Sequence, residues 1–373
     1  MSFRHSSPDH EETASFAGLA ARLDAELKRA GVQYHDMRRE QQLEVQLIGP
    51  SGADRETSNR AGRVDIERLE GPVTARPIPP TPSPSRIRYF LDGSQRTFPA
   101  YLFGSVPVIA SITAAAVLER DGDGNPRVMP GMLRLRHSWL APRRLPEMEP
   151  FLELVERVGM DVVDPLAQFD DEVAYAEAAA DYGRLVEFGH KAANKLRAGL
   201  EVDLLRRWSR RPGMMDDGWI VVDGTLPFCA PRAVGLVKSF TRQYLTGEEA
   251  ARMFQLTPGQ RTSAFQVTDL WRGDESAPDG DADDRRTLWF LRMWDAAGRD
   301  ARHSLVRIEA APDMVDPRQI DELSAWLLAE RVPRAMADTR WATLLYPVHY
   351  LERILKRYVD ADTRGWPGAR AGV

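Results

Sequence analysis

A single cysteine, Cys229, occurs in 373 residues, which excludes an intrachain disulfide and any metal centre built from cysteines. Apolar stretches are short, and none approaches the roughly 18 residues that a membrane-crossing helix needs. The opening residues, MSFRHSSPDHEET, lack the apolar centre of a secretory signal. A cytoplasmic protein with no membrane partner is therefore expected. Positive charge is not in excess either: the formal net charge is −5, so a surface for phosphate groups has to be a local patch. A P-loop, a dinucleotide-binding fingerprint, a GxSxG elbow and an HExxH element are all missing, and the chemistries they serve are not expected. No internal repeat is present.

What remains is ordinary in bulk, with 43% hydrophobic and 28% charged residues, a globular balance. The length predicts one large domain with an appendage, or two domains. Residues 13–31 place Phe16, Leu19, Leu23 and Leu27 on one face of an amphipathic helix. The stretch RPIPPTPSPSR, residues 76–86, carries five prolines and reads as an extended linker. Residues 1–85 are thus expected to be an N-terminal helical segment and linker, and 86–373 the main domain.

Candidate strands follow at Arg86–Ser94, Phe98–Phe103 and Val106–Leu118, an antiparallel meander closed by the turn-forming cluster around Asp121, Asp123 and Asn125. Residues 130–170 read as a peripheral insertion, and 170–209 as one long helix with Leu185, Phe188, Leu196, Leu200, Leu204 and Trp208 at helical spacing. Strands are expected at Trp219–Val222, Ala233–Phe240, Ser263–Val267, Thr287–Trp294 and Ser304–Ile308, with an acidic loop at 272–284. Helices over 317–330 and 346–358 close the chain. The order implies an α/β fold with a mixed sheet flanked by helices.

Two of the apolar runs end alike. Tyr89-Phe-Leu is followed by Asp92-Gly-Ser, and Ile220-Val-Val by Asp223-Gly-Thr. Asp-Gly is an ordinary turn signal, but two strands that each deliver an aspartate can also hold a hard divalent cation, Mg²⁺ or Mn²⁺, through oxygen. Two such ions can activate water and stabilise the leaving oxygen in phosphodiester cleavage. Glu201, at the edge of the helix's apolar stripe, can supply a third carboxylate, or it can be a solvated flank residue. Asp203, Glu187 and Glu119 are weaker candidates. A basic run (Lys191, Lys195, Arg197, Arg206, Arg207, Arg210 and Arg211) either tracks a nucleic-acid backbone or completes a helix C-terminus.

The succession FLDGSQRT, KLRAGLEVDLLRRW, WIVVDGTLP and GLVKSF resembles the motifs of the NurA family of DNA-end-processing nucleases, over roughly residues 86–358. The resemblance implies a ribonuclease H-like core and a metal-dependent nuclease that hydrolyses DNA. It implies that Asp92, Glu201 and Asp223 bind Mn²⁺ or Mg²⁺ and that Lys238 holds the scissile phosphate. It also implies a histidine in the last helix; in LLYPVHYLERIL this is His349, with Glu352 as the substitute. Lys195, Arg197, Arg206 and Arg207 would contact DNA. Family members form homodimers and work with a HerA-type hexameric ATPase. Two other classes remain open: a non-catalytic DNA-binding or motor-adaptor subunit on the same fold, and an Argonaute-related nuclease.

Overall fold

The computed structural model describes residues 16–32, 35–36, 66–80, 84–120, 125–211, 218–240, 244–267, 285–296, 300–331, 343 and 345–362. In chain order the elements are α1 (Phe16–Arg29), β1 (His35–Asp36), β2 (Ile66–Arg68), β3 (Ala75–Pro77), β4 (Ile87–Phe103), β5 (Val106–Arg120), β6 (Pro126–Leu140), α2 (Glu149–Arg157) and β7 (Val162–Val163). They continue with α3 (Glu172–Ala180), α4 (Tyr182–Ser209), β8 (Trp219–Asp223), β9 (Ala233–Val237), α5 (Gly247–Phe254), β10 (Gln260–Thr262), β11 (Phe265–Val267), β12 (Arg286–Arg292), β13 (Leu305–Ala310), α6 (Pro317–Ala329) and α7 (Tyr346–Asp362). The expected acidic loop at 272–284, the Asp121 and Asp123 turn residues and Pro212-Gly213 lie outside the described residues. No helix among the described residues is long and apolar enough to cross a membrane.

All the strands join one mixed sheet, ordered β2-β11-β12-β13-β9-β8-β4-β5-β6-β7, with β1, β3 and β10 attached beside this path. The fold is thus α/β, with a large mixed sheet flanked by helices. At its centre β4, β5 and β6 form an antiparallel meander, while β8 runs parallel to β4 and β9 parallel to β8. Alternation assigns the faces. Tyr89, Leu91, Val117, Ile220 and Val222 pack with Leu204, Leu205 and Trp208 of α4. Phe90, Ala114, Ala116, Val221 and Leu236 join the larger core that contains Leu351 and Leu355 of α7. Each buried valine, leucine, isoleucine or phenylalanine among them contributes about 1.5–3 kcal/mol by leaving water. β5 sits between two strands and two covered faces, so nearly every residue of VPVIASITAAAVL is buried.

Four expectations need correction. Arg86–Ser94 and Phe98–Phe103 are one strand, not two: a register shift between Pro99 and Tyr101 accommodates the proline, which lacks a donor for the ladder. Residues 126–140 are the third strand of the meander rather than an insertion. Their mixed composition reflects a strand whose faces are only half-covered. The single helix expected at 170–209 is two, divided at Asp181, which is extended and whose carboxylate accepts the Arg184 N–H at 3.0 Å as the N-cap of α4. The boundary at residue 85 does not separate independent units. Leu23 and Leu27 of α1 enter the main core, and Ala75–Pro77, inside the supposed linker, pairs with β10 as an edge strand, where proline is tolerated.

Candidate active site

β4 and β8 deliver their aspartates to the same level of the sheet. Their pairing ends at Leu91 opposite Val222, so Asp92 and Asp223 come next on neighbouring parallel strands. β4 then runs on. On the edge facing β8 it meets no strand among the described residues until β1 pairs with Tyr101 and Leu102. Among the described residues the aspartates therefore stand where the parallel pairing of β4 with β8 stops, at the carboxyl end of β8, the side of a parallel pair where α/β sheets generally place ligands.

Glycines let the other groups approach. A Cβ on Gly93 would lie 2.9 Å from Arg197 Cγ and closer still to the Glu201 carboxylate, so α4 can lay this turn directly on the β4 backbone only because residue 93 has no side chain. Gly235 has the same function for β8: a Cβ there would come within 2.7 Å of the Leu226 N–H and 2.8 Å of the Gly224 carbonyl. The turn that follows Asp223 folds across it. The Leu226 N–H donates to Glu309 Oε2 at 2.9 Å, and Glu309 is itself paired with Arg307 in the interior. Gly224, at φ 108°, makes that turn in a conformation L side chains rarely adopt.

Charges of both signs gather here. Asp92 is 7% exposed and Glu201 1%. Lys238, just past β9, donates to Asp223 Oδ2 at 2.7 Å. Arg197 pairs with Glu201 one turn along α4. Asp92 Oδ1 accepts the Gly93 N–H at 2.7 Å. Burial pushes the Asp92 carboxyl well above the usual aspartate range; the Asp223 carboxylate adds to this, Lys238 opposes it, and Glu201 and Glu352 raise it further. Arg197 is held above its ordinary value by Glu201 first, against the cost of burial, with Asp92 and Asp223 adding to the effect. One arginine thus feels three carboxylates.

The expected residues divide. Asp92, Glu201, Asp223, Lys238 and Arg197 come together. Glu352, three residues beyond His349 on α7, also reaches the cluster by its charge on Asp92. His349 is half-buried, and its Nδ1 is enclosed without a hydrogen-bond partner. Glu119 lies away from the site, opposite Tyr89, where it pairs with Arg88 and Arg127. Glu187 and Asp203 are on the solvent side of α4. The basic run does not share one face: Lys195 and Arg207 are exposed, Arg206 leans over the Phe228 ring at 5.8 Å, and Arg197 turns inward to the acids. The inward turn of Arg197 had one sequence signal, its i,i+4 spacing to a glutamate on the apolar flank.

Among the described residues, no three carboxylate, imidazole or thiol groups converge closely enough to hold an ion as they stand. The donor set is nonetheless of the right kind. It is all oxygen, the kind of ligand Mg²⁺ or Mn²⁺ takes. Were the carboxylates to draw closer, Asp92, Asp223 and Glu201 would be the residues to hold such an ion, with Glu352 at the margin. No protein-family model matches the sequence, and no curated protein is similar to it.

Proposed function

We propose that this protein is a metal-dependent deoxyribonuclease with a ribonuclease H-like core, similar to the NurA nucleases. One observation carries the proposal. Asp92, Glu201, Asp223 and Lys238, contributed by two strands, a helix and the end of a third strand, meet where the pairing of β4 with β8 stops. The central topology supports it: a three-stranded antiparallel meander, a long helix, then two strands parallel to the first, in the order β6-β5-β4-β8-β9. Ribonuclease H-like cores share that arrangement.

Asp92, Asp223 and Glu201 would hold Mg²⁺ or Mn²⁺. When bound, the metal supplies Lewis-acid activation of water and charge stabilisation at phosphorus. The protein's own groups do the rest. Lys238, on its short tether after β9, neutralises a non-bridging phosphate oxygen. Water adds to phosphorus, the bond to the leaving oxygen breaks, and that oxygen takes a proton. Glu352, half-buried, paired with Lys356 at 2.9 Å and close enough for its charge to act on Asp92, would relay it from the attacking water. The β4 edge beyond its pairing with β8 admits the strand to be cut, and exposed Lys195 and Arg207 provide backbone contacts. A homodimer, a HerA-type hexameric ATPase as motor and a cytoplasmic setting belong to the same proposal and rest on the resemblance.

One observation favours a non-catalytic DNA-binding or motor-adaptor subunit: Glu201 and Asp223 already have cationic partners in Arg197 and Lys238. Cleavage of end-labelled linear DNA by the wild type and Asp223→Ala, with EDTA, Mg²⁺ or Mn²⁺, separates the two. Metal-dependent degradation that falls at least about 100-fold in the variant is expected. Binding without cleavage, even with a HerA-type ATPase added, would establish the subunit reading instead.

A further inference from the structure

Arg197 is the best-placed cation in the site. Its guanidinium pairs with Glu201, its Cγ lies over Gly93, and its charge interacts with Asp92 and Asp223 as well. The pair adds little as a helix brace, because arginine preceding glutamate at i,i+4 is the less favourable order. Glu201 is 1% exposed, so its charge draws on buried partners, of which Arg197 is one. Asp223 is arranged in the same way with Lys238, at 2.7 Å. The two carboxylates expected to bind metal are therefore each occupied by a side-chain cation. The two cations are not equivalent. Lys238 is a compact ammonium at a strand end, whereas Arg197 is a planar fork on a long stem that is still 20% exposed, and such a fork matches a phosphate bidentately.

Resting on the nuclease reading of this site, we infer that Arg197 is an exchangeable counter-ion: it neutralises Glu201 in the metal-free protein, yields that carboxylate to a divalent cation, and turns its guanidinium to a phosphodiester of the substrate. The assignment explains why a strongly basic group sits inside the acid cluster rather than on the outer face with Lys195. It makes substrate affinity depend on metal, since Arg197 becomes available to a phosphate only once Glu201 is otherwise satisfied.

The test measures Mn²⁺ affinity of the full chain, from the electron paramagnetic resonance of free Mn²⁺, for the wild type, Arg197→Gln and Arg197→Lys. Circular dichroism checks that each variant is folded. Glutamine keeps a donor for Glu201 without the competing charge, so Arg197→Gln binds Mn²⁺ about tenfold more tightly, as expected when a competing state is removed. Arg197→Lys, which keeps the charge, stays close to the wild type. In Ca²⁺, a phosphorothioate single-stranded oligonucleotide binds about tenfold more weakly to Arg197→Gln, the loss of one charge-assisted phosphate contact. Unchanged or weaker Mn²⁺ binding by folded Arg197→Gln overturns the counter-ion assignment and leaves the nuclease reading standing, provided the wild type binds the ion. Tighter Mn²⁺ binding with unchanged oligonucleotide affinity overturns the phosphate half. No Mn²⁺ binding by any of the three proteins overturns the metal-site reading and the inference with it.

Discussion

Glu70 and Asp92 are both carboxylates penalised by burial, Asp92 the more deeply, and their partners act on them in opposite ways. Burial pushes Glu70 upward, but this is outweighed by hydrogen bonds from Arg261 and the Ala264 N–H and by the charges of Arg261 and Arg76, so its carboxyl ends below the ordinary range. Arg261 grips it with Nη1 at 2.7 Å and Nη2 at 3.0 Å, and holds Asp321 through Nε at 2.6 Å. That cluster ties β10 to the segment after β2 and to α6. At Asp92 burial acts first, Asp223 adds to it, Lys238 opposes it only in part, Glu201 and Glu352 raise it further, and the carboxyl ends well above the range. Burial weighs on both carboxyls, and more heavily on Asp92; cationic and N–H partners at Glu70, against like charges at Asp92, add to that difference. The Glu70 cluster is arranged for stability. The Asp92 carboxylate costs stability and is held in place by the packing around it, as the proposed metal site would require.

The largest expected effect breaks the stable cluster. Arg261→Met should cost about 3–5 kcal/mol in urea unfolding, because Glu70 and Asp321 lose their buried partner. The same cluster governs the acid side. A depressed Glu70 contributes stability that is present above its unfolded value and lost as pH falls through its folded value, so wild-type stability drops below pH of about 4.3. The double variant Glu70→Gln/Arg261→Met should lack that share of the acid slope. An unchanged slope would remove Glu70 from this account.

Next in size is Gly93→Ala, at about 1–3 kcal/mol, the usual cost of overpacking. Its methyl group meets Glu201 and Arg197, so metal binding should weaken together with stability. A variant as stable as the wild type would show that α4 does not lie this close to β4.

Smallest, and opposite in sign, is Asp92→Asn. In EDTA at pH 8 it should stabilise the protein, because the raised Asp92 carboxyl loses free energy by ionising there, and asparagine can keep the acceptor for the Gly93 N–H. The raised carboxyl imposes no penalty below its unfolded value of about 3.9, where both states hold the proton. The penalty grows as pH climbs toward the raised folded value and is complete above it. The gain should therefore vanish at acid pH. Thermal melts over a pH series read this directly, and destabilisation at pH 8 would contradict the contrast with Glu70.

The sequence by itself determined what depends on neighbouring residues. Alternating or continuous apolar runs marked β4, β5, β8 and β9; three-and-four spacing marked α1 and α4; and Asp-Gly after an apolar run marked Asp92 and Asp223, because strand and helix periodicity are local properties of the chain. Only the tertiary structure decided which charges meet. It set Glu119 apart with two arginines, brought Glu352 to the cluster, turned Arg197 inward and gave Asp223 to Lys238. It also made strands of Ile66–Arg68, Ala75–Pro77 and Pro126–Leu140, whose partners, not their own patterns, hold them extended. Electrostatic proximity depends on the register of strands far apart in sequence, and register is settled by the packing of the whole sheet.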